Sequence, residues 1–231
     1  CYSFGIDGIS GATFTSAAIL TAVRDCIEQA GGDVDAFNVP TSYEQGADES
    51  FDADVAVVGA GLSGIMCAAR AAEAGARVAL IEKVRLVGGC SLMSFSCASY
   101  TDDVVRDTVT NWVQNQMYLA DSTLVYAYVK NTIPAIEYLA GATTNANMFP
   151  YWGDPESMFP GMLVDYMQRP VVYDELLSNT VEANGGAVFT EHTATEILTD
   201  ADGAICGVKA SRKDGSTLTV NAKAVVIADR S

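Results

Sequence analysis

The sequence predicts an α/β protein: a Rossmann-like domain with a parallel sheet and a β-meander, preceded by a short separate piece. Three observations predict it. Residues 54–83 run through an apolar strand, a glycine turn, a small-residue helix and a second strand, the order of a βαβ unit. Short strand-like runs joined by Asp-Gly turns follow one another over 195–220. A fully apolar run, 224–228, then has the composition of a parallel strand buried on both faces.

Each element has its own signal. The polar stretch Asp7-Gly-Ile-Ser-Gly-Ala-Thr13 offers hydroxyls suited to a helix start. Residues 14–30 place Phe14, Ala18, Leu20, Val23 and Ile27 at helical spacing, and Gly31-Gly32 stops them. Residues 33–51 mix Gly, Pro, Ser and acids with little periodicity and read as an interdomain linker. The strand Val55-Ala56-Val57-Val58 opens the βαβ unit, and residues 77–81 close it ahead of Glu82. Helices are expected over 102–116 and 122–140, the second interrupted near Pro134. Residues 143–160, rich in Asn, Pro, Gly and aromatics, read as a loop over a binding face. Helical character resumes over 163–184 with Leu176, Leu177 and Val181 on one side; Gly185-Gly186 ends it, and 187–190 reads as a buried strand. Strands at 195–199, 204–210 and 217–220 make the meander, and 224–228 returns the chain to the main sheet. The expected organisation is 1–32, a linker over 33–51, and a larger domain over 52–231.

Composition narrows the function. At 231 residues, 49% hydrophobic and 18% charged, the chain can bury a sizeable core in one or two domains. A formal charge of −16, with no Lys or Arg between Arg24 and Arg70, leaves no basic stripe for nucleic acid. The longest apolar stretch, 55–69, is too short to cross a bilayer. The chain starts at Cys1 and ends just after an apolar strand, so both ends are expected to be cut. The six cysteines show no C-x-x-C and share one histidine, which gives no spacing for zinc, iron–sulfur or haem. Cys26 and Cys67 fall on apolar helix positions and read as small buried hydrophobes.

The glycine turn carries the chemistry. Gly59 permits the tight turn off the strand, Gly61 lets backbone approach a pyrophosphate, and Gly64 lets the helix pack closely on the sheet. The helix start directs unpaired N–H groups and its positive dipole end at phosphate. Glu82 ends the second strand where a carboxylate can accept hydrogen bonds from the ribose hydroxyls of an adenosine. A negative group there also disfavours a 2′-phosphate. The unit is expected to hold a dinucleotide.

Two resemblances sharpen this reading. The segment Asp7-x-x-Ser10-Gly11-Ala12-Thr13 resembles the flavin-attachment pattern of FMN-binding domains at every specified position. That resemblance implies FMN joined covalently to Thr13 through a phosphoester bond made by a flavin transferase. From about residue 52 to Ala228 the chain resembles the FAD-binding domain of fumarate-reductase-like flavoproteins, a group that includes fumarate and urocanate reductases. The likeness rests on 55–83, on Gly88-Gly89-x-Ser91, and on the stretch from Leu119-Ala-Asp-Ser122 to Tyr138-Leu139. It continues through Asp202-Gly203-x-x-x-Gly207-Val208 and Ala222-Lys-Ala-Val-Val-Ile-Ala228. It implies Gly59, Gly61, Leu62, Ser63 and Gly64 at the pyrophosphate, Glu82 at the ribose and Lys83 beside the adenosine. Gly88, Gly89 and Ser91 fall to the flavin side, and the Ala194 backbone to adenine. The chain departs from the family pattern at Cys90, at Phe95-Ser96-Cys97 and at Asp229-Arg230-Ser231. The family's capping domain, with the Arg and His residues that bind and protonate substrate, is expected beyond the last residue. No catalytic residue is therefore assigned, and turnover by this span alone is expected to be weak or absent. His192 reads as a surface residue and Arg169 as a solvent-facing one.

The resemblance implies an oxidoreductase that takes electrons from an upstream donor through FMN to FAD and on to an unsaturated carboxylic acid such as fumarate or urocanate. Two alternatives use the same residues: a flavin-carrying electron relay without its own substrate, and a nicotinamide-dependent Rossmann dehydrogenase. A flavin on Thr13 favours a periplasmic or cell-surface location over the cytoplasm, because related flavinylated domains are often exported.

Overall fold

The computed structural model describes residues 4, 13–39, 44–93, 97–99, 105–144, 147–152, 162–167 and 169–229. It divides into two compact units between Gly46 and Ala47.

The smaller unit holds helix α1 (Thr13–Gln29) and a 3-10 turn, Val34–Phe37. The Asp33 carboxylate accepts the Asp35 N–H at 3.0 Å and caps that turn. Gly31 takes φ 76°, the left-handed conformation that ends a helix at no steric cost. Ile19 and Val23 remain 59% and 44% exposed, and Cys26 is exposed rather than buried, because α1 has little to pack against within its own unit.

The larger unit begins with β1 (Glu49–Val58), α2 (Leu62–Glu73), β2 (Val78–Ile81) and β3 (Cys97–Ser99). It continues with α3 (Val105–Asn115), α4 (Ser122–Ala142), β4 (Asn147–Trp152), β5 (Met162–Met167) and α5 (Arg169–Leu177), which runs into a π-turn over Ser178–Glu182. Strands β6 (Ala187–Phe189), β7 (Thr193–Thr199), β8 (Ile205–Ser211) and β9 (Thr217–Ile227) complete it. The main sheet has the order β6-β2-β1-β9-β8-β7. Its first four strands are parallel, and β9-β8-β7 form an antiparallel meander. A second sheet has the order β3-β5-β4.

Packing follows side-chain size. Ile65, Ala68, Ala69 and Ala72 of α2 join Val57, Val78 and Leu80 of the sheet and Val172, Tyr173, Leu176 and Val181 of the α5 region in one buried cluster. Alanines along α2 let the helix lie close to the strands, while each fully buried Leu or Ile contributes roughly 1.5–3 kcal/mol. Ala56, Ala79 and Ile81 face the other way and pack with Val208, Ala210, Leu218 and Val220 of the meander.

Both long strands change phase at one place. Asp54 N–H and Val55 N–H both donate to Arg77 O, at 2.7 and 3.3 Å, which is the pattern of a β-bulge. Phe51 and Ala53 therefore face the second cluster, whereas Val55 and Val57 face the first. Opposite the bulge, Lys223 Nζ meets Asp54 at 2.6 Å, and β9 switches from Leu218, Val220 and Ala222 to Val225 on the second-cluster side.

The structure differs from the sequence expectations at several elements. The strand starts at Glu49, inside the stretch read as linker, because Glu49 to Phe51 pair with Leu218 to Val220. The two runs at 217–220 and 224–228 are one strand. Its end is not buried throughout: Ile227 is 58% exposed. Residues 162–167 are strand rather than helix, paired with 147–152, which read as loop. Strand β4 lies at a sheet edge, the place in a sheet where a proline such as Pro150 is tolerated. Helix α4 continues past Pro134 without a break, its start capped by the Asp121 carboxylate on the N–H groups of Thr123 and Leu124 at 2.8 and 3.3 Å.

Candidate cofactor site

The carboxyl ends of β1, β2 and β9 lie side by side: Val58 is in register with both Ile81 and Ile227. In open α/β sheets, ligands bind beyond this edge. The three glycines of the first turn are required for different reasons. Gly59 takes φ 98°, and a Cβ there would stand 2.9 Å from Asp229 N. A Cβ on Gly64 would fall 1.9 Å from Gly59 O, so helix α2 reaches the turn only because that atom is missing. Gly61 is extended, at φ −69° and ψ 173°, and a Cβ there meets nothing within 4 Å. Sterics inside the protein do not demand a glycine at 61, and the space beside it is open.

Gly61 is also the N-cap of α2, with no side-chain cap and no acid in the first helical turn. Leu62 and Ser63 are the first two helical residues, Leu62 packed against the main cluster and Ser63 exposed. The result is an open helix N-terminus whose amides and dipole favour an anion.

The second glycine pair comes to the same place. Gly88 N–H donates to Ala60 O at 2.6 Å, and Gly88 bridges Gly61 in parallel. Gly88 has φ 114° and Gly89 φ 52°, so this loop needs conformations that only glycine adopts freely. Ser91 folds back, its Oγ–H donating to Gly88 O at 2.5 Å. Residues 88–91 are thus held against the first turn despite the separation in sequence.

Glu82 is 7% exposed. Its Oε2 accepts the Ala60 N–H at 2.8 Å, and its Oε1 accepts the Val84 N–H at 3.0 Å. A carboxylate has about four lone-pair sites. Among the described residues two are used, and two remain, one set on each oxygen, for two further donors. Beside it lies a crevice lined by Gly59, Glu82, Lys83, His192, Thr193, Ala194 and Asp229. Lys83 is exposed and Ala194 half-buried at the start of β7.

Glu82, Lys83, Ala194 and the glycine turn are therefore brought together. Thr13 lies in the other unit as the first residue of α1, and residues 7–12 fall outside the described residues. The sequence reading of His192 as a surface residue is corrected: it is 7% exposed. Its N–H donates to Glu82 O at 2.9 Å, its ring stands edge-on to Phe189, and the turn at Glu191 (φ 60°) folds it over the end of β2. No spacing rule marks that fold-back. Arg169 is half-buried at the start of α5 rather than solvent-facing.

The donor set suits FAD. Open space at Gly61 and uncapped amides match a pyrophosphate, and the two remaining Glu82 acceptor positions match two ribose hydroxyls. Residues 54–228 match the FAD dependent oxidoreductase family model, and residues 2–28 match the FMN-binding domain model. Urocanate reductase of Eggerthella lenta is 28% identical over 98% of this chain, and the match covers 40% of that protein. NADH:fumarate oxidoreductase of Klebsiella pneumoniae is 26% identical over 96% of this chain and 24% of its own length. The chain thus spans less than half of the curated relatives it matches. Among solved structures, a flavocytochrome c3 fumarate reductase in its open conformation aligns over 83% of this chain and 38% of its own, with TM-score 0.62 and 19% identity, a likeness of fold. The family match replaces the nicotinamide-dependent alternative: with the glycine turn, its acid partner and the meander all in place, the chain belongs to the FAD-dependent oxidoreductase family.

Proposed function

We propose that the chain forms the adenosine-binding part of a reductase that draws electrons from an upstream donor through FMN on Thr13 to FAD and on to an unsaturated carboxylic acid of the fumarate or urocanate kind. The names of its relatives support that substrate class. One observation carries the cofactor half of the reading: an open, uncapped glycine turn lies beside a buried glutamate with two acceptor positions left.

The chain's own residues bind and orient. The N–H groups opening α2 hold the pyrophosphate, Glu82 holds the ribose with Lys83 alongside, and Ala194 presents backbone to the adenine. Gly88, Gly89 and Ser91 carry the wall toward the flavin. The flavin supplies the hydride and electron chemistry; orientation and charge come from the protein. Attachment at Thr13 calls for a flavin transferase and favours a periplasmic or cell-surface location over the cytoplasm. Taken alone, this span holds cofactor without turning over substrate.

Mass spectrometry of the natively produced protein tests the FMN half: the Thr13 peptide should carry the mass of FMN less one water. Release of free FAD on denaturation tests the other half. Steady-state reduction of fumarate, urocanate and related enoates separates reductase from electron relay. A colourless protein without either flavin would overturn the assignment.

A further inference from the structure

Among the described residues, only one ring nitrogen of His192 has a hydrogen-bond partner. Its Nδ1 stands 2.7 Å from Thr190 O. A carbonyl oxygen only accepts, so Nδ1 carries the proton and, in the neutral ring, Nε2 is an acceptor. Among the described residues Nε2 has no hydrogen-bond partner, and the ring lines the crevice beside Glu82, Lys83 and Ala194. Phe189 packs against the ring edge to face at 5.8 Å, and the backbone N–H of His192 is held by Glu82 O. The preceding residue, Glu191, holds φ 60°, a conformation that costs a residue with a Cβ energy and that the fold retains.

Resting on the reading that this crevice takes the adenosine of FAD, we propose that His192 is a specificity-determining residue. Its Nε2 accepts a hydrogen bond from the exocyclic amino group of the adenine. The donors of adenosine leave it that partner. Two ribose hydroxyls match the two open positions on Glu82. The amino group remains, and the crevice offers few side chains to receive it. Lys83 only donates, Thr193 is exposed to water, and Asp229 belongs to the glycine end, with its backbone N next to Gly59; Ala194 meets the adenine with backbone alone, which leaves the second hydrogen of the amino group for His192. A site built to bond a polar substituent rejects analogues that lack it, because its own buried group is then left unpaired.

The test compares FAD with its 6-oxopurine analogue, flavin hypoxanthine dinucleotide. Both are titrated into the full chain by flavin fluorescence. The wild type should prefer FAD. H192L and H192F should lower that preference roughly fivefold, the size of one neutral hydrogen bond. H192Q, which keeps an acceptor at similar reach, should retain it. FMN, which lacks adenosine, should respond alike to all variants. Melting curves identify the variants that fold, and either folded apolar variant decides. Wild-type protein that binds FAD without preferring it to the analogue overturns the inference, as does a folded H192L or H192F with the wild-type ratio. Wild-type protein that binds no FAD removes the cofactor reading itself.

Discussion

Substituting Gly61 and Gly64 by alanine separates ligand contact from packing. In Gly64→Ala the new Cβ would lie 1.9 Å from Gly59 O, where real Cβ contacts begin beyond 3.0 Å, so helix or turn must move by more than 1 Å. Overpacking of this kind costs about 1–3 kcal/mol or more, against roughly 1 kcal/mol regained from helix propensity. A net loss near 2 kcal/mol lowers Tm by about 4–8 °C in a domain of this size. In Gly61→Ala the Cβ enters open space on extended backbone, so the fold carries no clash. The poorer N-cap costs about 0.5–1 kcal/mol, and reduced freedom of the unfolded chain returns about 0.4–1 kcal/mol. Tm should therefore stay within about 2 °C. If the turn holds the pyrophosphate as proposed, the methyl group occupies the place where phosphate oxygens reach the helix amides. Loss of one or two charge-assisted hydrogen bonds, about 2 kcal/mol, weakens FAD binding roughly thirtyfold. Thermal melts and FAD titrations on both variants check the pair. Wild-type FAD affinity in G61A would refute the assignment of this turn to the pyrophosphate.

Other outcomes follow from the same geometry. In E82Q the amide group presents N–H to Ala60 or Val84 where a carboxylate oxygen had accepted one; thermal melts should show a loss of about 1–3 kcal/mol, and FAD titration at least a tenfold weakening. Asp48, Asp54 and Asp214 are held below the usual carboxylate range, chiefly by the Thr217 N–H, by Lys223 Nζ and by the Ser216 hydroxyl respectively. A depressed pKa in the folded state stabilises above the unfolded value of about 3.9 and is lost as pH falls through the folded value. Melts from neutral to acid should therefore hold steady to about pH 4 and then decline, with a shallower decline in D54N and less effect in high salt. Thr13→Val should abolish the FMN adduct in intact-mass measurement while leaving FAD content unchanged; an adduct that persists relocates the attachment.

The βαβ unit was legible because turn, helix and strand each needed a distinct residue type at a set spacing. The outer half of β1 was not. At Asp54 two N–H groups share Arg77 O, and the side-chain alternation changes phase, so residues 49–53 and 55–58 do not combine into one period. The matching switch in β9 at Lys223 split one strand into two runs. Strand β5 reads as helix in the sequence because six residues of mixed apolar character fit either period, and its antiparallel partner β4 carries a proline that argues for a loop. Within the site, Glu82 and the glycines could be named from spacing alone. The burial of His192 could not, since it depends on Glu191 and His192 hydrogen-bonding back to Val84 and Glu82.

The proposed cofactor role depends most on the grip of the first-turn amides and Glu82 on the adenosine diphosphate half of FAD. An equilibrium titration of the chain with FAD, repeated in the presence of ADP, measures that grip. Saturable one-to-one binding that ADP displaces is the predicted result. No saturable binding, or binding that ADP leaves untouched, would contradict it.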